Sequence, residues 1–195
     1  ISSNIITADP SASGTTNLVG GILVTSNPDQ ALCSDITITN NVTKGMTNYP
    51  IYVESQLAVG AGAQQRIVVS NNVVENTANS GGIRFSNCLD FSVTNNVFDG
   101  LTGSTSLYGL WFDNCSGFTV MGGSVSNVGV SGVYIEDCTE YTVSGTQIKN
   151  VGQRVAGYGL QLLTTGIQSQ NASISNVVVS DDQSSVTSRG YFLST

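Results

Sequence analysis

Glu54, Asp113 and Glu136 each lie two residues after an aromatic side chain, Tyr52, Trp111 and Tyr134 respectively. A strand turns alternate residues to one side, so each ring and its carboxylate share a face. Arg84 and Gln161 hold the matching place in two further stretches of the chain. Rings cover the apolar faces of pyranoses and carboxylates accept hydroxyl hydrogen bonds, so this combination suits a carbohydrate chain. Exposed aromatics equally suit burial under a loop or against another subunit. Asp113 and Glu136 form the sharpest pair. On neighbouring strands their backbones would lie about 4.8 Å apart. Their side chains can then splay to the about 5–5.5 Å of a retaining glycosidase or the roughly 6.5–9.5 Å of an inverting one. Two like charges so close raise one pKa and so supply an acid and a base. A carboxylate pair simply exposed to water is the more ordinary reading. The catalytic candidates are thus Asp113, Glu136 and Glu54. The substrate-binding candidates are Trp111, the one Trp of the chain, with Tyr134, Tyr52, Arg84 and Gln161.

What must position these residues is a repeat. Gly82-Ile83-Arg84-Phe85-Ser86-Asn87-Cys88, Gly109-Leu110-Trp111-Phe112-Asp113-Asn114-Cys115 and Gly132-Val133-Tyr134-Ile135-Glu136-Asp137-Cys138 are copies of one unit. Each continues with an aromatic residue, Ser or Thr, and Val (Phe91-Ser92-Val93, Phe118-Thr119-Val120, Tyr141-Thr142-Val143), and then a third short run. Self-similarity at such a period indicates stacked coils, and three alternating runs bounded by Gly and Asn indicate three strands per coil. The same opening recurs at 21, 50, 159 and 190, which predicts about six to seven coils. Residues 1–20 read as a lead-in strand or partial cap and 21–195 as the solenoid, with the chain a segment of something longer. Ile83, Phe85, Leu110, Phe112, Val133 and Ile135 are expected to point inward. Asn41, Asn72 and Asn96 are expected to stack at a turn, where a column satisfies backbone and side-chain amides together. Thr37, Val68, Ser92, Thr119 and Thr142 form an outward column; ordinary β-propensity accounts for it better than ice binding does.

Composition bounds the partners. A net charge of −7 with six Lys plus Arg argues against nucleic acid, which wants a basic stripe. No apolar run reaches the length of a membrane-spanning helix, so no membrane insertion is expected. There is no His, the commonest general base and metal ligand. Asp181-Asp182 reads as a solvated turn, since two adjacent acids need further oxygens to hold a metal; no metal and no cofactor are expected. Of the four cysteines, Cys88, Cys115 and Cys138 hold one repeat position. Side chains pointing the same way make poor disulfide geometry, so they are expected as a buried, reduced column suited to a reducing compartment.

The strand repeat over about residues 21–193 resembles the right-handed, single-stranded parallel β-helix of the pectin-lyase-like superfamily, an all-β fold. That superfamily includes polysaccharide lyases, glycoside hydrolases, epimerases and the trimeric tailspikes and tail-fibre tips of bacteriophages. Free cysteines, no visible secretion signal, no capping helix and no clustered Asp for calcium point to the phage branch. The resemblance then implies a tailspike or tail-fibre domain in the virion, assembled in the host cytoplasm. It would be a homotrimer that binds, and in some members cleaves, a bacterial capsule or lipopolysaccharide. The alternatives are a non-enzymatic spacer or assembly domain of such a fibre, and an extracellular polysaccharide lyase or hydrolase fragment.

Overall fold

The computed structural model describes residues 1–8, 20–26, 33–56, 64–75, 81–100, 108–166, 171–182 and 188–193. These form three parallel sheets and no helix. Each coil contributes one strand to each sheet, so strands adjacent in a sheet are about one full circuit apart in sequence. The first sheet stacks Ile22–Ser26, Ile51–Ser55, Ile83–Ser86, Tyr108–Asp113, Ser131–Glu136, Gly157–Leu163 and Ser188–Leu193. Its register aligns Ile22, Ile51, Ile83, Leu110, Val133, Leu160 and Tyr191. The coil openings expected at 21, 50, 82, 109, 132, 159 and 190 are therefore one aligned column. The second sheet runs through Thr37–Thr39, Val68–Ser70, Ser92–Thr94, Ser116–Met121, Thr139–Ser144 and Ser173–Ser175. The third runs through Ile5–Thr7, Val42–Lys44, Val73–Glu75, Val97–Asp99, Ser124–Ser126, Gln147–Lys149 and Val178–Ser180. Within the lead-in, Ile5–Thr7 pairs in parallel with Val42–Lys44, so it is a strand of the same solenoid; residues 9–19 lie outside the described residues.

The core is the inside of the coil. Ile83, Phe85, Phe112, Val133 and Ile135 are fully buried and Leu110 is nearly so. Phe85, Phe91, Phe112 and Phe118 stack through the centre, with centroids 4.8 Å apart or less for Phe85–Phe91, Phe91–Phe118 and Phe112–Phe118. Cys88, Cys115 and Cys138 are buried and free, one above another, and the Cys115 amide donates to the Cys138 sulfur at 3.3 Å. The register adds Cys33 and Gln64 below them in the same column; Cys33 is free and only half-buried.

Corners between strands repeat one device. Asn40, Asn71 and Asn95 take left-handed φ values of 56°, 55° and 52°, and the next residue in each case is an inward Asn. Asn tolerates that conformation better than most residues. The inward residues Asn41, Asn72 and Asn96 are buried and form the expected ladder. Asn4 Nδ2 donates to Asn41 Oδ1 (2.9 Å), Asn41 Nδ2 to Asn72 Oδ1 (2.9 Å) and Asn72 Nδ2 to Asn96 Oδ1 (3.0 Å). Each Oδ1 also accepts the backbone N–H of the Asn below. The ladder ends at Gly123, where a Cβ would come within 2.3 Å of the Asn96 carbonyl.

Candidate functional site

The outward face of the first sheet carries two registered columns. One reads Leu23, Tyr52, Arg84, Trp111, Tyr134, Gln161, Phe192; the other reads Thr25, Glu54, Ser86, Asp113, Glu136, Leu163. Every residue expected at the site thus lies on one face in neighbouring coils. Arg84 is its centre. Its guanidinium carbon sits 3.9 Å from the Trp111 ring centroid, 5.3 Å from Tyr52 and 5.5 Å from Tyr49. Its Nη2 donates to Asp113 Oδ2 at 3.3 Å, and Ser86 Oγ donates to the same oxygen at 3.2 Å. The guanidinium is thereby both ringed by π faces and paired with a carboxylate. Both side chains of that pair are about four-fifths covered (21% and 20% exposed).

Tyr49 and Tyr108 were not among the residues expected on this face. Tyr108 stacks on Tyr134 with centroids 4.2 Å apart and planes 11° from parallel, and meets Trp111 edge-on at 5.0 Å. Tyr49 packs against Tyr52 at 5.2 Å and Trp111 at 6.1 Å. Strict alternation counted back from Leu110 would turn Tyr108 inward. The alternation breaks at the coil-opening glycines. A Cβ on Gly82, Gly109 or Gly132 would come within 2.5 Å of the core side chains Phe98, Val125 and Ile148. Each glycine therefore faces the core, as does the residue after it, and the residue before it returns to the outside. The ladder is irregular there: the Gly82 N–H is shared between the Tyr108 and Gly109 carbonyls at 3.0 and 3.1 Å. A Tyr directly before the opening Gly or Pro, as in Tyr49-Pro50, Tyr108-Gly109 and Tyr158-Gly159, is the signal that finds these residues.

Covering by Tyr49 and Tyr108 changes what the face presents. Tyr134 was expected as an open stacking platform; it is 5% exposed, because Tyr108 lies flat on it. Trp111, Tyr52, Tyr49 and Tyr108 remain half-exposed. Trp111 Nε1 and Arg84 Nε are buried without a hydrogen-bond partner among the described residues, so the indole offers a ligand its ring rather than its N–H. Gln161 accepts from Ser131 Oγ through its Oε1 at 2.7 Å, which fixes its amide above Tyr134.

The carboxylates differ in setting. Asp113 is held by Arg84 and Ser86, and Asn114 Nδ2 donates to its Oδ1 at 3.3 Å. Glu136, paired in register with Asp113, has its pKa pushed up, first by burial and then by the negative charges of Asp113 and Asp137, against the lowering contact with the Tyr134 phenol. Glu54 sits two coils below Asp113 with Ser86 between them in register. Burial pushes up the phenol pKa values of Tyr49, Tyr52, Tyr108 and Tyr134, so all four stay neutral donors at ordinary pH. Elsewhere the charges are spread out. Lys44–Glu75, Arg66–Asp35 and Lys149–Asp182 are exposed ion pairs, and among the described residues no group of His, Cys, Asp and Glu is arranged to hold a metal.

Residues 2–192 match the family described as the right handed beta helix region. The match covers nearly the whole chain, and the chain belongs to that family: it is an all-β, right-handed parallel β-helix. No curated protein and no solved structure matches it. Among the described residues no helix is long and apolar enough to cross a membrane.

Proposed function

We propose that this β-helix domain binds a bacterial surface polysaccharide along the outer face of its first sheet, as part of a bacteriophage tailspike or tail fibre. The observation that carries the reading is the aromatic and acidic face itself. Tyr52, Arg84, Trp111, Tyr134 and Gln161 occupy one register position in successive coils, flanked by Glu54, Asp113 and Glu136. A solenoid repeats that position about every 4.8 Å, close to the rise of a sugar residue, so one ladder can follow an extended glycan. Trp111 supplies the stacking surface, with Tyr52 and Tyr108 beside it. Asp113, Glu136 and Glu54 accept sugar hydroxyls. The second sheet turns out mainly Ser and Thr, such as Thr37, Ser92, Thr119 and Thr142, and the third scattered charges such as Asp99 and Lys149. The buried free thiols support folding in a reducing compartment such as the bacterial cytoplasm, where phage tails assemble.

Cleavage has one specific support. Asp113 and Glu136 are register neighbours, and burial and neighbouring charge raise the Glu136 pKa above its ordinary value, the direction a general acid needs. The experiment uses the single Trp as the reporter. Oligosaccharides released from capsule or lipopolysaccharide should change Trp111 emission saturably, and the mixtures are then assayed for new reducing ends. Saturable change without reducing ends identifies a binder, and reducing ends that vanish in Glu136→Gln identify a hydrolase. An emission unmoved by every surface polysaccharide of the bacteria tested leaves the fibre-spacer reading in its place.

A further inference from the structure

We infer that the preferred ligand of this face is a polysaccharide carrying free amino sugars, and that polyuronates are disfavoured. The inference rests on reading the face as a glycan site and adds the charge of the glycan. Three carboxylates, Glu54, Asp113 and Glu136, stand there against the one guanidinium of Arg84 in the central coils. The lower half already displays how this surface treats a cation. Arg84 lies over Trp111, flanked by Tyr49 and Tyr52, with Asp113 at its end. The upper half repeats those elements from Tyr108, Tyr134 and Glu136, with the two rings stacked and both edge-on to Trp111 at 5.0 and 6.0 Å. No basic side chain is registered there: the residues aligned above Tyr134 and Glu136 are Gln161 and Leu163. Further up, Arg189 of the last described strand lies 6.0 Å from the Tyr158 ring. A sugar ammonium placed at Glu136 would meet a carboxylate that has no basic side chain registered beside it, whereas one coil below Arg84 already supplies the cation to Asp113. A uronate carboxylate at the same place would face Glu136 and Asp113, with the Arg84 guanidinium already engaged by Asp113.

The test compares two ligands that share a chain geometry and differ in charge, with a polyuronate beside them. Trp111 emission is titrated with chitosan oligosaccharides at a pH where their amines are charged, with the fully N-acetylated oligosaccharides of the same length, and with oligogalacturonates. The amine form should bind about two- to fivefold tighter than the acetylated form, the scale of one exposed charge pair, and the galacturonates weakest. Added salt should narrow the gap. Glu136→Gln should erase the amine preference, while Glu140→Gln, exposed on the second-sheet strand Thr139–Ser144, should keep it and so exclude general attraction to an acidic protein. Galacturonates binding as tightly as the amine form, or a preference that survives Glu136→Gln, overturns the inference and leaves the glycan site standing. So does silence with all three ligands when a bacterial surface polysaccharide does move the emission. If that polysaccharide is silent as well, the site reading falls together with the inference.

Discussion

Trp111 carries more of this face than any other side chain. It touches the Arg84 guanidinium and three tyrosine rings, so it is both a surface for a ligand and the packing partner that holds Arg84. Trp111→Ala should weaken glycan affinity by about 1–3 kcal/mol, the scale of one lost aromatic platform. Trp111→Phe, which keeps a ring, should recover most of it; titration calorimetry separates the two. Glu136 makes a second, independent prediction. Its folded pKa lies above its ordinary value of about 4.5, so the folded state holds its proton more tightly than the unfolded chain does. That preference stabilises the fold fully below the unfolded pKa and is lost as pH rises through the folded one. Melting temperatures measured across mildly acidic pH should therefore fall more steeply with rising pH in the wild type than in Glu136→Gln. A parallel pair of curves would show that Glu136 is solvated like an ordinary glutamate.

The coil corner is the unit in which local sequence becomes architecture. A left-handed Asn followed by an inward Asn turns the chain from the second strand into the third, and the inward amides tie successive coils. Asn72 is the central rung. Its Oδ1 accepts from the Asn41 backbone and side chain, and its Nδ2 reaches the Ile38 and Ser70 carbonyls as well as Asn96. Asn72→Ala leaves the buried Asn41 backbone N–H without its acceptor, at about 1–3 kcal/mol, and removes one of the two hydrogen bonds of Asn41 Nδ2, which keeps the Ile1 carbonyl. Its urea midpoint should drop clearly, whereas Asn40→Gly, exposed and already left-handed, should stay close to wild type. The same scale shows why part of the site was hidden in the sequence. The coil openings, the inward Ile83 and Phe85, the Asn ladder and the thiol column all follow from repeat and parity, and the register bears them out. Tyr108 does not follow, because Gly109 packs its Cα on the core and resets the parity behind it, and Tyr49 stands at the matching place before Pro50. Once those rings are in place, Tyr134 is covered, an outcome of packing between coils that no single strand reveals.

At the scale of the molecule, the sides of the solenoid carry exposed apolar side chains. Leu23 is 61% exposed on the first sheet and Met121 51% on the second. Exposed apolar surface of this kind marks association. The homotrimer implied by the resemblance to phage fibres predicts a light-scattering mass of three chains at micromolar concentration. A soluble, folded monomer under those conditions would speak for a domain that works singly and against the fibre reading. The central claim, that the outer face of the first sheet is where the glycan lies, is tested most directly by a crystal structure with a bound oligosaccharide from a surface polysaccharide that shifts Trp111 emission. The account predicts the sugar chain running along the solenoid axis, one ring against Trp111 and its hydroxyls or amines on Asp113 and Glu136. A sugar seated on the Ser and Thr face of the second sheet, or Trp111 found sealed between subunits with the glycan elsewhere, would contradict it.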